Sequence, residues 1–404
     1  MSDIKESTSR RSPQGRLVLP SLVLARFATQ PSGLITGLLL IDIGHTYGIS
    51  VGEAGQMRAF SSTIALVFAL LMGVLSVRYR HKTLLLTGFL FYCVSALGCF
   101  LAPNFTVMTV VYSLSGIGMA MVRPMSSALV GAYIPLDKRS NAIGWILAGG
   151  SISYLVGAPV VSYLAGLGGW KMAFLGYMLP VSLVSLLLAF TGIPKETINP
   201  ESPIGGLNYL DGFKEVLANR SAVACLIGAS LGMATWTATL TYSTSYFRQR
   251  FSIPTSWASL ILSGLALCFT LGSLSGGYLI NIFGRRRFTI ISTILLGIST
   301  MLFLNLGVLW LSLVLALVCC VLAGMRYSAS DNLTLEQIPE FRGAMMSISS
   351  AASSLGSTLG AGVGGLTLIS WGYGGLGLSL GSFGIAAAAI YLLFAIDPTS
   401  RFPR

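Results

Sequence analysis

The sequence predicts an all-α membrane protein of twelve transmembrane helices in two pseudo-symmetric six-helix bundles. Three observations carry that expectation. Charged residues are 9% of the 404 and apolar residues 54%, whereas a soluble domain carries about 25% charge to cover its surface, so this chain is built for lipid. The apolar residues gather in runs of about 20, the length at which a helix crosses the hydrocarbon layer. A helix–loop unit also recurs: Arg123 and Arg139 lie sixteen residues apart, as do Arg326 and Arg342, 203 positions later. Each first arginine follows a long apolar run, and each second sits in a polar loop after Pro135 or Pro339.

The predicted spans are 17–43, 55–77, 83–102, 105–133, 141–165, 171–193, 221–245, 256–283, 288–306, 308–333, 343–369 and 373–396. A polar, basic tail, 1–16, precedes span 1 with no cleavable signal after it. Gln30-Pro31 predicts a kink in span 1 and puts an amide four residues from Arg26, on the same face. Pro124, Pro159 and Pro180 mark flex points in spans 4, 5 and 6. The long polar break, 194–220, holds Pro200, Pro203, Gly205 and Gly206, then an amphipathic stretch, Leu207 to Leu217. The expected domains are therefore a tail (1–16), a bundle (17–193), a linker (194–220), a second bundle (221–396) and a tail (397–404).

Orientation follows from lysine and arginine in the loops. With the N-terminus inside, the inner segments hold eighteen of the 25, including Arg78, Arg80, Lys82, Lys138, Arg139, Arg285, Arg286, Arg287 and Arg342. The outer segments hold Arg58, Lys171, Arg248 and Arg250; Arg26, Arg123 and Arg326 fall within spans. Both termini are expected in the cytoplasm. The +12 balance comes as short clusters between apolar runs and does not form a nucleic-acid footprint. All six cysteines lie in apolar segments and read as buried small hydrophobes. There is no Gly-rich phosphate loop followed by Lys-Ser/Thr, so ATP-driven pumping, enzymatic activity and a bound cofactor or metal are not expected.

The repeat extends past the arginines. Gly149, Ser153 and Gly157 in span 5 answer to Ala352, Gly356 and Gly360 in span 11, and Gly364 lengthens the second set. Spacing by four makes each a small-residue ridge on which another backbone can seat. After span 2, Gly73, Leu75, Arg78 and Lys82, and after span 8, Gly277, Gly284, Arg285 and Arg286, form matching loops.

At these residues the chain resembles the major facilitator superfamily, over 17–396. The loops look like that family's Gly-x-Leu-x-Asp-Arg-x-Gly-Arg-Lys motif, with Val77 and Asn281 in the Asp positions and Arg80 for the second Gly. Gly157-Ala-Pro159 and Gly169-Trp170-Lys171-Met-Ala-Phe174 look like signatures of its drug and metabolite efflux branch. Tyr112 stands where efflux members carry Arg, and Ser162-Tyr163 where Gly-Gly would follow Pro159. In the family the missing Asp pairs with cations and helps hold the outward-open state, so that latch is expected to be weaker or made differently here. Gly73, Arg78, Lys82, Gly277, Asn281, Gly284, Arg285, Gly157 and Pro159 are the conformational residues the resemblance implies.

The resemblance also implies that spans 1, 4, 7 and 10 line a central cavity, which puts Arg26, Arg123 and Arg326 on it. Arginine stays charged at any working pH and offers a fork suited to carboxylate, sulfate or phosphate. Candidate substrate residues are Arg26, Gln30, Arg123, Arg326, Trp236 and Tyr242. By a rise of ~1.5 Å per residue, Arg123 and Arg326 lie cytoplasmic of their helix centres, so an inner gate or snorkelling is the competing reading. Asp331, and Asp42 with His45, are the titratable candidates for proton coupling; a plain salt bridge for Asp331 and a solvated interface for Asp42 are the alternatives. Span 7 is rich in hydroxyls from Thr235 to Tyr246, suited either to a ligand or to bonding their own helix carbonyls.

The expected function is a secondary transporter of a prokaryotic plasma membrane, a monomer moving a small organic, anionic solute by alternating access, through export or exchange. A proton-coupled efflux carrier for hydrophobic drugs or lipids, and a transport-inactive sensor or scaffold, are the alternatives.

Overall fold

The computed structural model describes residues 17–194, 213–338 and 342–397. The predicted tail 1–16, all but the first residue of the predicted tail 397–404, most of the linker (195–212), and the side chains of Val77 and Arg342 lie outside them. Among the described residues, all regular structure is helical. Span 1 is two helices, α1 (Val18–Ala28) and α2 (Pro31–Tyr47), followed by α3 (Val51–Arg78), α4 (His81–Leu101), α5 (Phe105–Tyr133) and α6 (Leu136–Gly168). Span 6 is α7 (Trp170–Ala173), a π-turn (Phe174–Met178) and α8 (Leu179–Gly192). A short α9 (213–218) precedes α10 (Arg220–Phe251), α11 (Thr255–Phe283), α12 (Arg285–Asn305), α13 (Leu309–Leu335) and α14 (Arg342–Phe394). Helix α14 is spans 11 and 12 run together across Gly372, whose φ of 64° and ψ of −163° are not helical.

Local chemistry accounts for the breaks. Pro31 has no N–H to give, and just before it the amides of Thr29 and Gln30 turn back to the carbonyls of Arg26 and Phe27. The π-turn falls immediately ahead of Pro180, which has no amide for Gly176, so the ladder widens there. Gly169 and Gly372, 203 residues apart, have φ of 76° and 64°, a region open to glycine without a Cβ clash. They turn span 5 into 6 and span 11 into 12, so the repeat is written in the backbone as well as in the arginines.

Each half packs by the same scheme. In the first, α6 lies on α1, α3 and α4 on α5, and α4 on α8; in the second, α14 lies on α10, α11 and α12 on α13, and α12 on α14. The ridges make this possible. A Cβ on Gly149 would meet the Val23 carbonyl at 2.6 Å, and Cβ atoms on Gly356 and Gly360 would collide with the carbonyls of Ser230 and Ala234. Such backbone approach is how apolar helices associate in lipid, where no hydrophobic force drives them together. Outward faces are apolar: Leu90, Val94, Leu97 and Leu101 form one exposed stripe along α4.

The halves meet through α3 on α14, α6 on α11 and α2 on α10. Their contacts gather at one end, the loop end, away from the two termini and the linker. There Gln56 Nε2 donates to the Gly362 carbonyl at 3.0 Å and Thr244 Oγ1 to the Gly37 carbonyl; Thr63 Oγ1 donates to Thr358 Oγ1 at 3.4 Å near the middle of α3. Nearer mid-depth, Ser263 Oγ donates to the Tyr154 carbonyl at 3.3 Å and Thr270 Oγ1 to Ser151 Oγ at 2.5 Å. Glycines let the helices touch: a Cβ on Gly52 would lie 2.5 Å from the Gly365 carbonyl, and one on Gly37 2.8 Å from that of Leu240.

Candidate functional site

Arg326 is the largest fully buried side chain of the described residues, 2% exposed, and its Nε and Nη1 have no hydrogen-bond partner. Its guanidinium lies against α10 at Gly232, where a Cβ would fall 2.7 Å from Cζ. A buried, unpaired guanidinium is costly in an apolar interior, and such intramembrane charges mark ligand pathways or partners. Across the halves, Arg26 on α1 and Arg123 on α5 are within reach of each other's charge. Both carry a buried Nε without a partner. Arg26 packs on Gly150 of α6 together with Gln30: a Cβ there would be 3.6 Å from Arg26 Nε and 3.3 Å from Gln30 Nε2. Arginine and amide thus share a face, as the spacing predicted.

Tyr327, beside Arg326 in the chain, closes the set. It lies within electrostatic reach of Arg26 and Arg123 from the first half and of Arg326 and Asp331 from its own. Asp331 faces Tyr327 and Arg326, yet among the described residues no ion pair joins it to an arginine. Tyr92, fully buried with its hydroxyl unpartnered, stands beside Arg26 and Arg123. An aromatic row leads in from α10: Trp236 stacks on Phe269 (4.2 Å, 17°), and Phe269 lies 5.9 Å from Tyr327. The cluster therefore offers fixed cations, one carboxylate and an aromatic wall, drawn from both halves and lying on the linker side of the contact between them.

Other candidates are elsewhere. Tyr242 is in the loop-end seal; its hydroxyl donates to the Ala361 carbonyl at 2.8 Å and rests where Gly55 of the opposite half has no side chain. Asp42 accepts both terminal nitrogens of Arg248, at 2.5 and 3.0 Å. His45 lines a loop-end cavity of about 560 Å³ with Ile41, Gln249, Ile369 and Tyr373. The span 7 hydroxyls largely bond backbone: Thr239 to the Thr235 carbonyl at 2.8 Å and Thr241 to that of Thr237 at 2.6 Å. Their helix runs unbroken. Arg58, counted with the outer loops in the sequence, is inside α3, and its Nη1 donates to the Gly33 carbonyl at 3.3 Å. Tyr112, where efflux members carry Arg, ties α5 to α2 through the Ser32 carbonyl at 3.3 Å.

The motif loops anchor helix ends inside each half. Lys82 Nζ donates to the carbonyls of Phe190, at 2.7 Å, and Ile193, where α8 ends. Arg286 Nη2 does the same for the Leu392 carbonyl at 2.7 Å, where α14 ends. A cation at a helix C-terminus meets the unpaired carbonyls and the negative end of the macrodipole. Arg139 caps α5 through the carbonyls of Ile134 (2.9 Å) and Gly131 (2.6 Å). Arg285 Nη1 lies 4.0 Å from Glu336 Oε1; Asn281 bonds the Gly277 carbonyl at 3.4 Å. Arg78 is exposed, Gly73 lies within α3, and Gly284 ends α11 at φ 81°. Gly157 seats the Tyr177 hydroxyl, and Pro159 is exposed beside α11. Tyr327, Arg58, Arg248 and Gly232 were not singled out in the sequence; adjacency to Arg326 was the one available signal, for Tyr327.

Comparison with known proteins places the whole chain. The Major Facilitator Superfamily model matches residues 22–272 and again 254–404. An uncharacterized MFS-type transporter of Bacillus subtilis, YbcL, is 24% identical over 93% of this chain and 95% of its own length. The transcription regulatory protein OpdE of Pseudomonas aeruginosa is 29% identical over 45% of each chain. Among solved structures, a bacterial homolog of the human lysosomal transporter Spinster, inward-facing and unoccupied, superimposes with a TM-score of 0.79 at 17% identity, covering 95% of this chain and 97% of that one. The D-xylose-proton symporter matches with a TM-score of 0.78 at 15% identity, covering 96% and 99%. YbcL, the Spinster homolog and the symporter are transporters rather than enzymes, and the chain belongs to the Major Facilitator Superfamily.

Proposed function

We propose that the chain carries a small organic anion across the membrane by alternating access of its two halves, as an exporter or exchanger. The observation that supports this is the set of Arg26, Arg123 and Arg326, from both halves, each with a buried Nε that no group among the described residues satisfies. An anion would supply the missing acceptors and offset the charge. A carrier whose cations are neutralised by cargo reorients more readily loaded than bare, which favours exchange. With the termini in the cytoplasm of a plasma-membrane protein, as loop charge suggests, closure at the loop end supports an inward-facing reading of this state. Asp331 is the group for proton coupling in the efflux reading. The partial match to OpdE, by its name a regulatory protein, is what favours a membrane sensor instead.

The test is thermal stability of purified protein with anionic metabolites and cationic drugs, with Arg123→Ala and Arg326→Ala in parallel. Stabilisation of the wild type by anions, lost in both variants, is expected. If no anion stabilises the wild type, or the variants respond as the wild type does, the reading fails. Flux in liposomes separates the rest: binding without flux supports a sensor, and dependence on a proton gradient that vanishes in Asp331→Asn supports coupling.

A further inference from the structure

Resting on that reading, we infer that the bound species carries at least two negative charges. The charge balance of the site requires it. Arg26 and Arg123 stand together on the first half, each with a buried Nε that lacks a partner; Arg58 lies nearer the seal, bonded to the Gly33 carbonyl, and stands outside this balance. The acids of that half's described spans are committed elsewhere: Asp42 to Arg248, and Glu53 to the amide and hydroxyl of Ser50, both at the loop end. Among the described residues of the second half, the carboxylate beside the cluster is Asp331, and it faces Arg326. Among the described residues one acid thus stands against Arg26, Arg123 and Arg326, leaving an excess of two positive charges at the meeting of the halves.

Neutral partners do not change that sum. Tyr92, Tyr154 and Tyr327 supply dipoles around Arg26, which orient toward its charge without cancelling it. A monoanion would leave half of the excess in a medium where unpaired charge is expensive. A dianion can meet the Arg26–Arg123 pair with one acidic group and Arg326 with another, or present one doubly charged phosphate or sulfate head to the pair. The shared chemistry is charge of at least −2 with bidentate oxygen acceptors. The stacked Trp236 and Phe269 beside Tyr327 suit a flat or apolar body behind the acidic groups.

The experiment is isothermal titration calorimetry of the full chain in detergent at pH 7.5 and constant ionic strength. Two matched pairs are compared: sulfate with methyl sulfate, and succinate with monomethyl succinate. Each pair keeps its skeleton and changes its charge; low millimolar concentrations avoid the general salting effect of sulfate. At least ten-fold tighter binding of a dianion than of its monoester is expected, falling to two-fold or less in Arg26→Gln and in Arg123→Gln. If sulfate alone shows the preference the double charge belongs on one head; if succinate alone, on two groups. Equal affinity within both pairs overturns the dianion inference and leaves the anion reading standing. Binding of none of the four overturns both. A preference that survives in both variants puts the charge selectivity elsewhere and overturns the inference too.

Discussion

Asp42 and Arg248 hold the two halves together at the loop end through paired hydrogen bonds of 2.5 and 3.0 Å, from α10 to α2. Arg248 Nη1 adds a bond to the Leu38 carbonyl at 3.2 Å. The carboxylate is 36% exposed and the guanidinium 13%, so solvent discounts the pair to about 1 kcal/mol. It can form only when the loop end is shut. Asp42→Asn or Arg248→Gln should therefore shift the population about five-fold toward the open loop end, read by electron–electron distances between spin labels on α2 and α10. The swap Asp42→Arg with Arg248→Asp should restore the wild-type distances. Unchanged distances in both single variants would make the pair incidental.

That pair was illegible in the sequence for a physical reason. Asp42 and Arg248 are 206 residues apart, in different repeats, and each reads alone as an interfacial charge. What was legible rested on periodicity. Arg123 and Arg326 announced the two halves, and the spacing of Gly149, Ser153 and Gly157 marked a face on which another helix would seat. Tyr242 shows the limit: composition flagged a hydroxyl-rich stretch, but whether a tyrosine faces a ligand or a glycine depends on Gly55 in the other half.

The seal also depends on glycine. A side chain at Gly52 would meet the Gly365 carbonyl at 2.5 Å and Ile369 Cγ1 at 2.6 Å. Both belong to the opposite half, so bulk there obstructs closure and leaves the first half's own packing alone. Gly52→Val should favour the loop-end-open form and raise labelling of a cysteine placed at Ser50, with helix content unchanged. Labelling at the wild-type rate would mean the seal tolerates the added side chain.

Lys82 and Arg286 are the repeat's two helix-end anchors, and each is bound to the last helix of its own half. Removing either should loosen that end locally, at a cost of about 0.5–1 kcal/mol. Lys82→Ala is expected to speed amide hydrogen exchange near 190–193, and Arg286→Ala near 392–395, with little change at the other site. Exchange rising at both ends in either variant would show that the halves do not behave as independent units.

Two glycines on or against α10 should respond in opposite ways to the same alanine. At Gly232 the added methyl meets Arg326, at 2.7 Å from Cζ and 2.9 Å from Nε, which is the end of a flexible side chain. The guanidinium is pushed aside while the helices keep their spacing. Gly232→Ala should weaken anion binding about ten-fold and leave the melting temperature nearly unchanged. At Gly360 the methyl meets the Ala234 backbone, with the carbonyl carbon 2.8 Å away, and neither helix can yield without parting from the other. Gly360→Ala should cost about 1–3 kcal/mol of stability, seen as a lower melting temperature, with anion affinity close to wild type. If Gly232→Ala lowers the melting temperature and spares the affinity, Arg326 serves packing rather than the ligand.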